Sequence, residues 1–227
     1  MEQNNILESD RLLEKTIAQC FEYRVSLTPD APAVEFEGER ISWNELDRLS
    51  DWLVWRFDFL GIKRGTRAGI WCGNNLQWII VFLGLQKIGA TAVLINPGYL
   101  ADELHKIISY SDVESLFYGE EFKNADLTKI LAEVDISTTP NLKQTIPIEL
   151  KAAIDFMKKG AEELTEAQKQ RIYELKQLPD CKDTACMLFT SGTTALPKGV
   201  LLTHYNLVND AMFTAKAMHW EKDDKIC

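Results

Sequence analysis

AGIWCGNNLQWIIVFLGLQKIGATAVLI, residues 68 to 95, decides the fold of this 227-residue chain. Ala68 to Cys72 reads as a short buried strand, about Asn75 to Ile88 as a helix closed by Gly89, and Thr91 to Ile95 as a second strand. The unit repeats at once, with a helix from about Ala101 to Ser111 and a strand from Ser115 to Tyr118. Strands separated by helices of ten or more residues pair in parallel through right-handed crossovers. The expected fold class is therefore α/β, a largely parallel sheet flanked by helices.

Upstream, Arg11 to Leu27 is helix-like, and Ala33 to Phe36 with Arg40 to Ser42 flank Glu37 and Gly38 as a hairpin. Ser42 and Glu45 form a capping box, after which Leu46, Leu49, Leu53, Phe57 and Leu60 recur at helical spacing until Gly61. Downstream the pattern loosens from Glu120 to about Asp183: Ile136 to Pro147 is loop-like, and Ile148 to Gln177 reads as one or two charged helices. Order returns with a strand from Ala185 to Phe189, a loop through Gly199, a strand from Val200 to Thr203, and a helix from about Tyr205 to Met218. This divides the chain into an α/β subdomain at 1–119, a connector or helical insertion at 120–183, and a strand, loop and start of a further subdomain at 184–227.

Composition narrows the classes. The chain is 46% apolar and 26% charged, near the globular average, and its length lets a folded domain bury roughly 70% of the surface exposed when unfolded. A net charge of -9 has the wrong sign for a grip on nucleic acid or an anionic membrane. The five cysteines lack paired two-residue spacing and read as structural thiols of a reducing compartment. Met1 to Asp10 resembles no signal peptide, and no apolar run approaches the roughly 20 residues that span a bilayer. The expectation is a cytoplasmic protein with no membrane span.

Chemistry concentrates in Thr190, Ser191, Gly192, Thr193, Thr194, Ala195, Leu196, Pro197, Lys198 and Gly199, directly after an apolar strand. Hydroxyls supply short donors, glycine lets backbone amides approach closely, and lysine supplies a mobile cation: the requirements of a polyphosphate cradle. The P-loop pattern needs glycine before the lysine and Ser or Thr after it, whereas Pro197 and Gly199 stand there, so a Walker-type NTPase is disfavoured. By composition alone the same run also fits an ordinary surface turn. Its place after a buried strand, with Lys198, favours phosphate binding.

The run Leu188 to Gly199 resembles the phosphate-binding signature of the AMP-forming adenylating enzymes, the superfamily of acyl-CoA synthetases, firefly luciferase and peptide-synthetase adenylation domains. Ile41 to Leu46 is similar to that family's early Tyr/Trp-x-Glu-Leu element, and Leu85 to Pro97 to its Gly-Ala-x-x-x-x-x-Asn-Pro element. Asn96 and Pro97, followed by Tyr99, Glu103 and Leu104, resemble acyl-CoA synthetases more than peptide-synthetase domains. Ala195 departs from the family's usual glycine, so that position is less free to take φ > 0. The resemblance implies the large N-terminal domain of an acyl-CoA synthetase-like fold. It implies a reaction in which a carboxylic acid and ATP, with Mg²⁺, give an acyl-adenylate and pyrophosphate, and coenzyme A then takes the acyl group. Thr190, Ser191, Thr193 and Thr194 would hold the β- and γ-phosphates, Gly192 would permit close approach, and Lys198 would offset charge on the departing pyrophosphate.

His105, His204 and His219 lack metal-ligand spacing, so no metal site is expected. For His204, with Asn206 beside it, a structural role orienting the strand-to-helix turn is favoured over catalysis. The six tryptophans read mostly as core, and the charged run Lys158 to Arg171 as a solvated helix face. The resembling family is more than twice this length and places further catalytic elements beyond the loop. The chain therefore reads as the N-terminal part of a longer enzyme, inactive by itself, and its unfinished last strand favours self-association into a homo-oligomer or capture of a partner. A kinase-like phosphate-binding enzyme and a noncatalytic α/β nucleotide-binding or interaction module remain as alternatives. Pyrophosphate exchange into ATP driven by a carboxylic acid separates them from adenylation.

Overall fold

The computed structural model describes residues 11–148, 153–190, 197–221 and 224–226. Helix α1 (Ile17–Leu27) leads into a hairpin of β1 (Pro32–Phe36) and β2 (Glu39–Ser42), and then into α2 (Trp43–Phe59). The units β3 (Arg67–Trp71), α3 (Leu76–Ile88), β4 (Thr91–Leu94), α4 (Ala101–Tyr110) and β5 (Ser115–Tyr118) follow. Next come the two-residue strands β6 (Glu121–Phe122) and β7 (Ala125–Asp126), α5 (Leu127–Glu133) and β8 (Gln144–Pro147). Helices α6 (Ala153–Glu162) and α7 (Glu166–Lys176), strands β9 (Thr184–Thr190) and β10 (Lys198–Thr203), and α8 (His204–Ala217) complete the described chain.

The main sheet has strand order β10-β9-β4-β3-β5-β8, parallel throughout except for the antiparallel β9–β10 pair. One sheet thus draws strands from each of the stretches 1–119, 120–183 and 184–227. On one face, α1, α2, α3, α6 and α7 bury a core that includes Leu49, Leu53, Phe57, Ile80 and Leu85. On the other, α4 and α5 cover Trp71, Val93, Leu104, Leu116 and Leu127. Two covered faces are what a parallel sheet of short, continuously apolar strands requires.

Local signals act largely as the sequence suggests. Asn75 caps α3, accepting the Trp78 N–H at 2.7 Å, and Gly89 ends it at φ 70°. Ser42 caps α2 by accepting the Glu45 N–H at 3.1 Å, but the reciprocal half of the capping box is not made. The Glu45 carboxylate is drawn away to Lys158, 3.0 Å off on α6. The helix expected from Arg11 begins only at Ile17, because Thr16 and Gln19 close a capping box there.

The connector holds more order than its sequence suggests. Within the loop-like stretch Ile136 to Pro147, β8 pairs parallel with β5 and forms a sheet edge. Pro147 is tolerated because, among the described residues, no strand lies beyond β8. The charged run Lys158 to Arg171 also does more than face solvent. Arg171 makes a bidentate pair with Asp58 at 2.9 Å in both contacts, so α6 and α7 each dock on α2 through an ion pair.

A buried charge network joins four helices. Lys87, 0% exposed on α3, places Nζ 2.6 Å from both Asp47 Oδ1 and Asp51 Oδ1 and donates to the Asp47 carbonyl at 3.0 Å. Asp51 also accepts from Lys176 of α7 at 3.0 and 3.2 Å, and Lys176 reaches Glu22 of α1 at 2.6 Å. Burial works against the Lys176 charge, but Asp51 and Glu22 outweigh it and push its pKa up to about 12.

Gly160 marks a second tight contact. A Cβ there would lie 2.2 Å from Trp52 Nε1 and 2.5 Å from Cε2, and Trp52 is itself buried with Phe156 edge-on to its ring. Replacing a helical glycine by alanine ordinarily stabilises by about 1 kcal/mol. Here the indole must move, so Gly160→Ala is expected to destabilise by about 1–3 kcal/mol, read in urea unfolding followed by tryptophan fluorescence. A stabilised variant would show that α6 shifts freely on α2.

Candidate active site

Strand β9 runs parallel to β4, so Thr190 emerges at the carboxyl end of the sheet, beside the ends of β3 and β4. The chain returns as β10 with Lys198 directly opposite Thr190 and Gly199 opposite Phe189. Lys198 is therefore the first residue of a strand, not a free loop position. Its backbone is fixed by the ladder while its exposed side chain makes no hydrogen bond or ion pair with any described residue. Ser191, Gly192, Thr193 and Thr194, with Ala195 and Leu196, lie outside the described residues. What the structure places are the residues on either side of them, Thr190 and Lys198, paired across the β9–β10 ladder.

An open cleft of about 780 Å³ adjoins β9. Its walls are the strand ends and following loops of β3 (Cys72, Gly73, Asn74) and β4 (Ile95, Asn96, Pro97), with Phe189 on β9. Strand β3 connects to β4 on one side while β5 lies on its other side, so the crossovers diverge around β3. Crevices at such strand ends are where open α/β sheets take ligands. Phe122, on the β6–β7 hairpin, closes the far wall against Gly73, where an added Cβ would come within 3.3 Å of its ring. Trp78, stacked on Phe82 at 5.3 Å, also lines the cleft, an exception to the reading of the tryptophans as core. No charged side chain is among the lining residues, so the cleft suits a neutral, flat or apolar group.

Asn96, Pro97 and Tyr99, which stood out in the sequence only as part of the family resemblance, form one wall. Asn96 Oδ1 accepts the Gly98 N–H at 2.9 Å and fixes that loop. Phe122 was not legible, because a two-residue strand carries no periodicity. The only local cue is the Lys123-Asn124 pair, both at positive φ in the hairpin turn.

His204 serves structure. It is 0% exposed, and its Nδ1 accepts the Ile17 N–H at 3.3 Å, which puts the ring proton on Nε2. Nε2 has no partner among the described residues. Burial pushes its pKa down to about 4 against the opposing pull of Asp183 and Asp180. Asn206 accepts from both the Thr203 N–H and hydroxyl, completing the cap of α8. An unfolded histidine titrates near 6.5, so between pH 6.5 and 4 the unfolded chain binds the extra proton. Stability conferred by neutral His204 is complete above pH 6.5 and falls by about 3 kcal/mol as pH drops to 4. Urea unfolding across this range should show that slope, and His204→Gln should flatten it. An equal slope in the variant would assign the loss elsewhere.

The four described cysteines, Cys20, Cys72, Cys181 and Cys186, are free thiols. Among the described residues no His, Cys, Asp and Glu cluster is arranged to hold a metal, and no helix is long and apolar enough to cross a membrane.

A mostly parallel sheet with helices on both faces and an open cleft at the carboxyl ends of its strands defines an α/β protein. The chain belongs to the AMP-binding enzyme family, whose model matches residues 21–227. It is 29% identical over 222 residues to the acyl-CoA ligase sidI of Beauveria bassiana, covering 95% of this chain and 38% of that protein. To the mitochondrial medium-chain acyl-CoA ligase ACSF2 of Danio rerio it is 28% identical over 238 residues, covering 97% and 39%. The chain thus spans about two fifths of the length of these relatives. The same fold occurs in a long-chain-fatty-acid–CoA ligase, FadD1, from Archaeoglobus fulgidus, at TM-score 0.75 and 18% identity over 95% of this chain and 42% of that one.

Proposed function

We propose that the full-length protein is an AMP-forming acyl-CoA ligase and that this chain carries its phosphate grip. In the first step a substrate carboxylate oxygen attacks the α-phosphorus of Mg²⁺-bound ATP, and the bond to the bridging oxygen breaks to release pyrophosphate. In the second, the coenzyme A sulfur attacks the acyl carbonyl and AMP leaves. The observation that carries this reading is the Thr190–Lys198 ladder pair at the carboxyl end of a mostly parallel sheet, with Ser191, Gly192, Thr193 and Thr194 between them in the sequence. The family match and the acyl-CoA ligase relatives support it.

In this role the Lys198 ammonium stands beside the departing pyrophosphate, and Thr190 with the turn hydroxyls and amides orients the β- and γ-phosphates. The ladder pairs the backbone of Thr190 with that of Lys198, so these two residues are held relative to each other before ATP arrives, which is where electrostatic catalysis gains most. The neutral cleft beside β9 accepts an uncharged part of a substrate. The test is exchange of labelled pyrophosphate into ATP by the full-length enzyme, with and without medium- and long-chain carboxylic acids. Acid-dependent exchange is expected. ATP hydrolysis indifferent to the acid, or phosphoryl transfer that releases ADP, would replace this reading with a kinase-like one.

A further inference from the structure

The β9–β10 hairpin is secured at its base by a segment from the opposite end of the chain. Asn209, 5% exposed on α8, spends its side-chain amide on one backbone position: Oδ1 accepts the Leu13 N–H at 2.7 Å, and Nδ2 donates to the Leu13 carbonyl at 3.0 Å. This is the pairing a neighbouring strand would offer. Its other amide hydrogen goes to the Tyr205 carbonyl one turn back, at 2.8 Å. Five residues earlier on the same helix, His204 accepts the Ile17 N–H.

The clasp continues on its other side. His204 N–H donates to the Asp183 carbonyl at 3.1 Å, and Tyr205 N–H to the Cys181 carbonyl at 2.8 Å. The Asp183 carboxylate takes the Arg64 guanidinium through both oxygens at 2.7 and 2.8 Å, which helps hold its pKa below the usual carboxylate range despite partial burial. Segments 13–17, 181–183 and the start of α8 therefore meet where β9 begins and β10 ends.

Among the described residues, α8 adds few buried apolar side chains. The buried residues of α8 are His204, Val208, Asn209 and Met212, so half of them are polar and both polar ones bind the N-terminal segment. On the same helix Phe213 is 47% exposed, and among the described residues β10 has a strand on one side only. With so little apolar burial, the docking of α8 depends on the polar clasp.

We infer that Asn209 and His204 are positioning residues, strapping residues 13–17 to α8 so that the strap sets the hairpin presenting Thr190 and Lys198. Only the last step, presentation to phosphates, rests on the acyl-CoA ligase reading. The test is a double-mutant cycle read by native-state hydrogen exchange at amides 198–203. Asn209→Leu removes both bonds to Leu13. Leu13→Pro removes the N–H that Asn209 accepts and lies outside every helix and strand, so it keeps the test open should the α8 variant fail to fold. Each single variant is expected to speed exchange at 198–203 about tenfold, and the double variant no further, because both cut the same link. Faster exchange confined to residues 11–17, or effects that add in the double variant, would overturn the inference. In the full-length enzyme the same variants should raise KM for ATP about fivefold or more while KM for the acid stays within about twofold. Faster exchange at 198–203 with KM for ATP unchanged would uphold the strap and count against the phosphate-binding reading of the hairpin.

Discussion

Lys198→Ala in the full-length enzyme is expected to slow acid-dependent pyrophosphate exchange by about 10²- to 10³-fold, the cost of removing one donor aimed at charge that develops in the transition state. The fold should be untouched. Lys198 is exposed, binds no described side chain, and contributes to β10 only through its backbone, which alanine keeps. A surface truncation of that kind changes stability by no more than about 0.5 kcal/mol. Exchange kinetics and thermal unfolding of the same preparations separate the two effects. Lys198→Arg supplies the control, since it retains charge but not the compact ammonium, and intermediate rates are expected. If alanine leaves the rates within about twofold, Lys198 is not part of the chemistry. If it lowers the melting temperature as much as the rate, its role is structural.

The second large effect concerns stability alone. Lys87→Ala should lower the unfolding free energy by about 3–5 kcal/mol, because it takes the ammonium from Asp47 and one of two cations from Asp51 and opens a cavity under α1. Asp51 keeps Lys176 after the change, but Asp47 loses its only ion-pair partner among the described residues and its main-chain carbonyl loses a donor. Lys87→Met, which fills most of the volume without the charge, isolates the electrostatic share and should recover part of the loss. Urea unfolding at pH 7 measures all three proteins. A loss below about 1 kcal/mol for alanine would mean that water or a rotated side chain replaces the ammonium.

The contrast between these two lysines shows what the sequence makes legible. Lys198 stands in a run of hydroxyls and glycine with no apolar period, so its chemistry is local and can be read locally. Lys87 sits in the last turn of an apolar helix, where a lysine usually marks the solvent side. Its burial depends on Asp47 and Asp51 arriving from a helix about forty residues earlier, information no local window contains. The βαβ architecture was legible for the opposite reason, since short apolar strands and capped helices repeat their signals in every unit. β8 was not, because Gln144 to Pro147 is held by pairing with β5 and not by its own composition. The cleft was not legible: Asn96, Pro97 and Tyr99 stood out only as a family resemblance, with no site role, and Phe122 owes its place to a hairpin of two-residue strands.

Pro147 gives the sheet a direction of growth. Ile148 turns its N–H inward to the Tyr118 carbonyl at 3.0 Å, so the preceding backbone nitrogen faces away from the sheet, and there the residue is an imino acid with no hydrogen to offer. The β8 margin is thereby blunted against any arriving strand. The β10 margin carries no such guard among its residues, Lys198 to Thr203, and Val200 and Leu201 are exposed along it. A strand that extends this sheet, from the same polypeptide or from another, will find complementary backbone groups beside β10 and an interrupted row beside β8.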